Sequence, residues 1–492
     1  MASHPAMLAW PQVAEDEFGL ALWTAPAIEA ATGGHASDDF QVSGVAFDSR
    51  EVHEGDLFVA LRGEQSDGHG YVAQAFARGA AAVLVETPVD GPHVRVSNTS
   101  SALESLAIAA RARADARIIG VTGSVGKTGV KEALFAALDR ASRGKAHRSL
   151  KSYNNHVGVP LSLARMPART RFGVFEMGMN HAGELSALTR LVRPNVAIVT
   201  TIAPAHIEFF KDEAGIADAK GEIFEGLVPG GTAIIPADSP HFARLRDKAL
   251  ACGAKVVSFG LAAHADVRLL DTIRAHNGGS LITADFGDRR ICYTVSLPGD
   301  HWVVNSLAVM AAVRAVGGDL GAAGLALAEM EGLAGRGARH AVAAPGGDGS
   351  GGALLIDESY NANPGSMAVT IAELGRTPAR RRIAVLGAMK ELGGASDAYH
   401  ADLAAPLLAA GVDRVVLVGD EMGALAQVLG KSAAGVLGKR IDVAHVANAG
   451  EALALMTAYK LEGGDAVLVK GSNSVGLAAL VQALAKPQTG GN

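Results

Sequence analysis

The run Thr122-Gly123-Ser124-Val125-Gly126-Lys127-Thr128 constrains this chain more than any other stretch. The apolar segment Ile118–Val121 precedes it and reads as a strand. After it, Val130, Ala133, Leu134, Ala137, Leu138 and Ala141 recur at helical spacing and mark one buried helix face. A strand, a glycine-rich turn and a helix in that order are the setting of a phosphate-binding loop. Glycines let backbone N–H groups close on phosphate oxygens, and the helix N-terminus adds a positive dipole. Lys127 is placed to reach the β- and γ-phosphates, and Thr128 to ligate Mg²⁺. The usual eight-residue spacing is not met, because Val121 stands where its first glycine belongs. The loop is a shorter variant anchored at Gly123. An ordinary strand–turn–helix with a surface lysine is the bland alternative, and the context favours phosphate. Gly123, Ser124, Gly126, Lys127 and Thr128 are therefore the expected nucleotide contacts.

The chain has 492 residues, more than one core supports, which suggests about three domains. Hydrophobic residues make up 49% and charged residues 19%, a globular balance. Three blocks follow. Residues 1–113 hold short strands (Gly44–Phe47, Leu57–Leu61) and end in a helix. Asn98-Thr99-Ser100-Ser101 supplies its N-cap candidates, and Leu103, Leu106, Ala107 and Ala110 its buried face. Residues 114–334 open with the phosphate loop and alternate strands with helices. Residues 335–492 repeat that alternation through Arg382–Leu386, Arg414–Val418 and Ala466–Val469. The glycine-rich run Pro345–Gly352 lies between two apolar segments and reads as a long hairpin loop. The fold class is α/β, with mostly parallel sheets in the second and third blocks.

Several function classes are excluded. A net charge of −6 does not suit a general nucleic-acid binder. Two cysteines build neither a disulfide framework nor a cysteine metal site, which fits a reducing cytoplasm. The first twenty residues carry no Lys or Arg, so no signal peptide is expected. The apolar stretch Trp302–Leu327 is interrupted by Asn305, Arg314 and Asp319, so membrane insertion is not expected either. No G-x-G-x-x-G run follows a strand and opens a helix, the match at Gly347–Gly352 lying inside the glycine-rich loop, so a dinucleotide oxidoreductase has little support.

Other residues sit where an open parallel sheet binds ligands, beyond the carboxyl ends of its strands. Glu176 follows the strand Phe172–Phe175, and His206 follows the strand Val196–Ile202. Carboxylate plus imidazole suits a second divalent cation, and equally a solvent-facing Glu and a core His. Lys220 lies with Ile216, Ile223 and Leu227 on the apolar face of a helix spanning Glu213–Leu227. A desolvated lysine has a lowered pKa, and a neutral amine can take up CO₂ as a carbamate. A buried ion pair or a snorkelling ammonium are the alternatives. In the third block, Asp357-Glu358-Ser359-Tyr360-Asn361-Ala362-Asn363-Pro364 and Lys470-Gly471-Ser472 end strands. Both suit ligand contacts, and both suit ordinary helix caps and turns.

Taken together, these motifs resemble the Mur ligase family over essentially the whole chain. Phe47-Asp48-Ser49-Arg50, Gly55–Gly63 and Asp67-Gly68-His69 look like the family's UDP-sugar domain. The phosphate loop, Asn154-Asn155 with Gly158-Val159-Pro160, Glu176-Met177-Gly178, Ala205-His206 and Ala219-Lys220 occur in the family's order. His301 and Asn305 resemble its adenine segment. The Ser359–Pro364 run and Leu386–Gly393 are similar to members that add D-alanyl-D-alanine, and Lys470-Gly471-Ser472 to their C-terminal signature. Two departures stand out: Gly129 where Thr or Ser is common, and Ala388 where Asp is usual.

The resemblance implies an N-terminal UDP-substrate domain, a central phosphate-loop ATPase domain and a C-terminal Rossmann-like domain. It implies an ATP-dependent ligase joining D-alanyl-D-alanine to UDP-N-acetylmuramoyl-tripeptide through an acyl phosphate, in the cytoplasm and as a monomer. Two Mg²⁺ sites are implied, with Thr128, Glu176, His206 and a carbamylated Lys220 as ligands. Lys127, Glu176, His206 and Lys220 are the implied catalytic residues. Asn305, Arg336 and Asp357 are implied on ATP. Asp48, Ser49, Arg50, Asp67, His69, Asn154, Asn155, Tyr360, Asn361, Asn363, Lys470 and Ser472 are implied on the other substrates. A sister ligase for another amino acid, or a non-catalytic nucleotide-binding regulator, is the alternative.

Overall fold

The computed structural model describes residues 21–63, 66–204, 207–275, 278–344, 352–431 and 440–486. Among these, three large sheets follow one another along the chain. The first runs His35–Ala36, His93–Arg95, Ala82–Val85, Asp56–Val59, Gly44–Ala46, with a ribbon of Trp23–Thr24 and Gln41–Val42 beside it. The helix Thr99–Arg113 closes this region. Its cap is Asn98, whose side chain accepts from the Ser101 N–H, and Leu103, Leu106, Ala107 and Ala110 are buried.

The second sheet has nine strands. The phosphate-loop strand Arg117–Thr122 lies parallel between Phe172–Glu176 and Val196–Val199. Ala146–Arg148 continues the parallel set on one side, and Thr232–Pro236, Lys255–Gly260 and Val267–Arg274 continue it on the other. An antiparallel pair, Ser280–Asp285 and Arg290–Val295, ends the sheet. The parallel strands are nearly continuous apolar runs because helices bury both faces. The phosphate-loop helix Lys127–Ser142 and the helices Asp300–Ala315 and Leu320–Glu329 pack one core. The helices Gly158–Ala164, Glu184–Val192, Glu213–Gly221 and Phe242–Ala251 pack the other. The Trp302–Leu327 stretch is thus two buried helices. No described helix is long and apolar enough to cross a membrane.

Two boundaries differ from the sequence expectation. The strand expected to reach Ile202 ends at Val199, because the next residues leave the ladder to brace the phosphate loop. The Ser124 N–H donates to the Thr201 carbonyl at 2.7 Å, and the Thr200 hydroxyl donates to the Val125 carbonyl at 2.5 Å. The helix expected to run to Leu227 ends at Gly221 and tightens into a 3₁₀ turn over Glu222–Gly226. There the Thr189 hydroxyl donates to the Ile223 carbonyl at 2.7 Å. The buried face survives the change, since Ile216, Lys220 and Ile223 are all enclosed.

The third sheet runs Ala338–Val342, Ala353–Glu358, Asp465–Lys470, Arg381–Gly387, Arg414–Val418, Asp442–Val446. Its first pair is antiparallel and the rest is parallel; of the hairpin loop expected over Pro345–Gly352, residues 345–351 lie outside the described residues.

The edge strand Ala146–Arg148 carries a stability switch. His147 Nε2 lies 2.8 Å from the Ser162 carbonyl, and its ring centroid lies 5.8 Å from that of Phe175. Desolvation pushes the imidazole pKa from 6.5 down to about 4. The unfolded chain therefore takes up this proton first as pH falls, and the stability present above 6.5 is lost between 6.5 and about 4. Melting temperatures across that window should fall in the parent chain and fall less steeply in a His147→Asn variant.

Candidate active site

The phosphate loop is held open by its own backbone. Gly123 has φ +149° and Gly126 φ +89°, both beyond the range comfortable for other residues. A Cβ on Gly123 would overlap Thr200 Oγ1. Gly123→Ala should therefore cost about 2 kcal/mol or more through strain and overlap. Chemical denaturation read by far-UV circular dichroism checks that loss.

Lys127 Nζ donates to the Gly123 carbonyl of its own loop at 2.6 Å. Desolvation lowers its pKa, the Glu176 charge raises it, and the Arg336 charge lowers it again. Thr128 Oγ1 donates to Glu176 Oε2 at 2.8 Å, and Asn154 Nδ2 donates to Glu176 Oε1 at 2.8 Å. Both carboxylate oxygens of this buried residue are thus engaged beside the loop.

Lys220 is 1% exposed. Burial lowers its pKa well below the usual lysine value, and the Lys127 ammonium pushes the same way. The apolar periodicity of its helix announced this desolvation. His206, expected nearby, lies outside the described residues.

A second buried lysine was missed from sequence. Lys131, four residues after Lys127, is 0% exposed and its Nζ donates to the carbonyls of Ser149 at 2.9 Å and Lys151 at 2.7 Å. Glu132 Oε1 lies 3.0 Å from the same ammonium. Lys131 pins the segment that carries Ser152, Tyr153 and Asn154. Its place on the buried side of an amphipathic helix was the available signal.

A cavity of about 370 Å³ lies over the loop, within the range of small-molecule sites. Ser124, Gly126, Lys127, Glu176 and Asn154 are among its polar lining residues, and Leu297, Trp302, Met330 and Leu333 among its apolar ones. Asn305 also lines it and packs against Gly126. Desolvation pushes the pKa of the neighbouring His301 down to about 4, which keeps its ring neutral.

The third block reaches into the same cavity. The Arg336 guanidinium lies 4.4 Å from the Tyr360 ring centroid, and its Nη2 donates to Ser152 Oγ at 3.3 Å. Tyr360, Asn361, Asn363 and Lys470 line the cavity too. Lys470 is buried, donates to the Asn361 carbonyl at 2.9 Å and faces Glu358 at 3.6 Å. Asn363 caps the helix Pro364–Arg376 in a capping box with Ser366. Asp357 and Ser472 are not among the lining residues. Asp357 Oδ2 accepts from the Gly335 N–H at 2.6 Å and its Oδ1 from Ser359, so it shapes the turn that presents Arg336. Ser472 Oγ accepts from the Lys390 N–H at 3.1 Å.

A larger cavity, about 970 Å³, opens between the first block and the segment 152–160. Asp48, Ser49 and Arg50 line it with Asn155 and Tyr153. Arg50 and Asp48 pair at 2.7 Å, and Ser49 Oγ donates to Gln74 at 2.8 Å. Lys151 pairs with Glu51 across the block boundary, and the Tyr153 hydroxyl donates to Glu51 at 2.7 Å. Asp67 and His69 do not line this cavity. Their side chains meet at 2.6 Å, and His69 Nε2 accepts from the Glu86 N–H at 3.0 Å, which braces the loop around Gly68. Ser152 borders both cavities.

Comparison with known proteins covers most of the chain. The profile of the Mur ligase family catalytic domain matches residues 41–125. Those of the Mur ligase middle domain and the Mur ligase glutamate ligase domain match residues 121–313 and 347–473. The UDP-N-acetylmuramoyl-tripeptide–D-alanyl-D-alanine ligase of Escherichia coli (strain K12) is 36% identical over 453 residues. That alignment spans 91% of this chain and 94% of that protein. A crystal structure of MurF from Acinetobacter baumannii superposes with TM-score 0.78 at 28% identity, over 94% of this chain and 98% of that one. MurF ligase from Thermotoga maritima in complex with ADP gives TM-score 0.70 at 25% identity, over 90% and 97%.

Proposed function

This chain belongs to the Mur ligase family, and on that premise we propose that it joins D-alanyl-D-alanine to UDP-N-acetylmuramoyl-tripeptide, coupled to cleavage of ATP to ADP and phosphate. The observation that carries the reading is the meeting of two cations, Lys127 and Arg336, around one cavity that Glu176 also lines and whose wall, at Ser152, is shared with a second cavity. A reaction between two anions, a γ-phosphate and a carboxylate, needs that arrangement of positive charge between two binding spaces.

ATP lies with its phosphates on the loop formed by Gly123, Ser124 and Gly126, and its base toward Asn305. Lys127 swings from the Gly123 carbonyl to the β- and γ-phosphate oxygens. The sugar nucleotide occupies the larger cavity against Asp48, Ser49, Arg50 and Asn155, and its peptide passes Asn154 and Ser152. The terminal carboxylate attacks the γ-phosphorus, ADP leaves, and an acyl phosphate forms. The amine of D-alanyl-D-alanine, held near Tyr360, Asn361, Asn363 and Lys470, then attacks the acyl carbon. The tetrahedral intermediate loses phosphate and a proton to give the amide.

Thr128 and Glu176 fit a Mg²⁺ ion, since their hydroxyl and carboxylate oxygens converge at 2.8 Å beside the loop and are hard donors. His206 and a carbamylated Lys220 would hold a second. Bound Mg²⁺ neutralises phosphate charge and favours in-line displacement. The reaction takes place in the cytoplasm, on a monomer. Arg336 acts on the γ-phosphate, with its turn set by Asp357. Arg336→Ala should therefore slow phosphate release about tenfold to a hundredfold, while ADP affinity changes much less. Stopped-flow phosphate release and calorimetric titration check the two halves. Closure of the C-terminal domain over bound ATP analogue and sugar nucleotide should lower the radius of gyration in small-angle scattering.

Phosphate release with Mg²⁺ and UDP-N-acetylmuramoyl-tripeptide, with and without D-alanyl-D-alanine, tests the whole reading. Release that requires the dipeptide, with a pentapeptide mass in the product, is expected. Release only with another amino acid would replace this reading by that of a sister ligase.

A further inference from the structure

Gly129, the residue that departs from the family pattern just after the phosphate loop, has a partner. A Cβ at Gly129 would lie 2.9 Å from Trp302 Cη2 and 3.0 Å from Cζ2, so the indole already occupies the space a side chain would need. Three residues earlier, a Cβ at Gly126 would lie 3.0 Å from Asn305 Nδ2. Trp302 and Asn305 are themselves three apart on the helix Asp300–Ala315. One face of that helix is therefore seated in two notches on the phosphate-loop side, each notch a glycine. Trp302 is only partly buried against the core, and it lines the small cavity together with the apolar side chains of Leu297, Met330 and Leu333. Lys127 and Glu176, the groups suited to phosphate, line the same cavity.

We infer that Trp302 forms one wall of the slot for the nucleotide base, and that Gly129 is the seat that keeps the indole there. The inference rests on the nucleotide reading of this cavity. Its ligand is the flat heteroaromatic base, recognised by stacking and apolar contact, while the loop recognises the phosphates independently. Gly129 is a positioning residue that acts through Trp302. A serine or threonine at 129 drives the indole out of its notch and into the slot, even though the phosphate loop itself is unchanged.

Calorimetric titration of the full chain with Mg²⁺–ADP and with Mg²⁺–pyrophosphate separates base recognition from phosphate recognition. Trp302→Ala should weaken ADP about tenfold, the scale of a lost stacking wall, and leave pyrophosphate affinity unchanged. Trp302→Phe should restore most of the ADP affinity. Gly129→Ser should weaken ADP comparably, and the Gly129→Ser/Trp302→Ala pair should be no worse than either single variant, because both act on one contact. Unchanged ADP binding in Trp302→Ala overturns the inference. So does an equal loss for ADP and pyrophosphate, which would make the indole a brace for the loop. Failure of the parent chain to bind either ligand would instead overturn the nucleotide reading on which this one stands.

Discussion

Lys127→Ala should reduce substrate-dependent phosphate release about 10²–10³-fold, the scale of removing one charge-stabilising group from a phosphoryl-transfer site. The side chain sits on the loop with its ammonium 2.6 Å from the Gly123 carbonyl, one short rotation from where phosphate oxygens would lie. The half-buried side chain is less screened by water than a surface lysine, which strengthens each interaction it makes with a phosphate. Removing the ammonium leaves Arg336 and the backbone N–H groups to face the γ-phosphate alone. The fold should survive, because the alanine only abandons a hydrogen bond to a loop carbonyl. Thermal melting beside a steady-state phosphate assay tells the two effects apart. An activity within a few-fold of the parent chain would remove Lys127 from the chemistry.

The second large effect concerns Lys220. Burial and the nearby Lys127 charge push the Lys220 amine well below the usual lysine pKa, which favours its neutral form, and a neutral amine reacts with CO₂ to give a carbamate and a proton. That group is anionic and presents oxygen donors where the bare ammonium would repel both Lys127 and a metal ion. Lys220→Ala should lose about 10²–10³ in turnover, and acetate or formate should restore part of it by filling the vacated space with a carboxylate. Lys220→Met keeps the buried volume. It should melt near the parent temperature, since methionine fills the same space in apolar surroundings, yet remain as inactive as the alanine variant. Parent-like turnover in either variant would exclude a chemical role for this side chain.

Local pattern carried much of this architecture. The apolar strand, the glycine turn and the i, i+4 face from Val130 to Leu138 were enough to place the phosphate loop. The same periodicity put Lys220 inside before any coordinates did. Contacts between distant segments were not legible. Nothing about Gly129 alone says that a tryptophan 173 positions later fills its notch. Nothing about Ser152 says that it stands between two cavities. Short polar motifs were ambiguous for a different reason. Asp67-Gly68-His69 and Asp357 hold carboxylates at loop turns, and a carboxylate there can face a ligand or satisfy its own backbone. The structure shows Asp67 engaged by the His69 N–H of its own loop, and Asp357 by Ser359 and by the Gly335 N–H of the neighbouring turn. The strand that stops at Val199 fails to reach its apolar limit because Thr200 and Thr201 bond to the phosphate loop, a tertiary demand invisible in the run itself.

The segment from Ser149 to His156 has one further consequence. Its carbonyls are anchored by Lys131 from beneath, its Lys151 and Tyr153 grip Glu51 of the first block, and its Ser152 accepts from Arg336 of the third. A partition this thin, tied to all three blocks, is a shared boundary condition for two ligands. If occupancy on one side shifts it by a fraction of an ångström, the dissociation constant on the other side changes by some factor. Thermodynamic reciprocity then requires the same factor in the opposite direction. The two substrates of the first chemical step would then be each other's effectors, with Ser152, which lines both cavities, as the point of exchange.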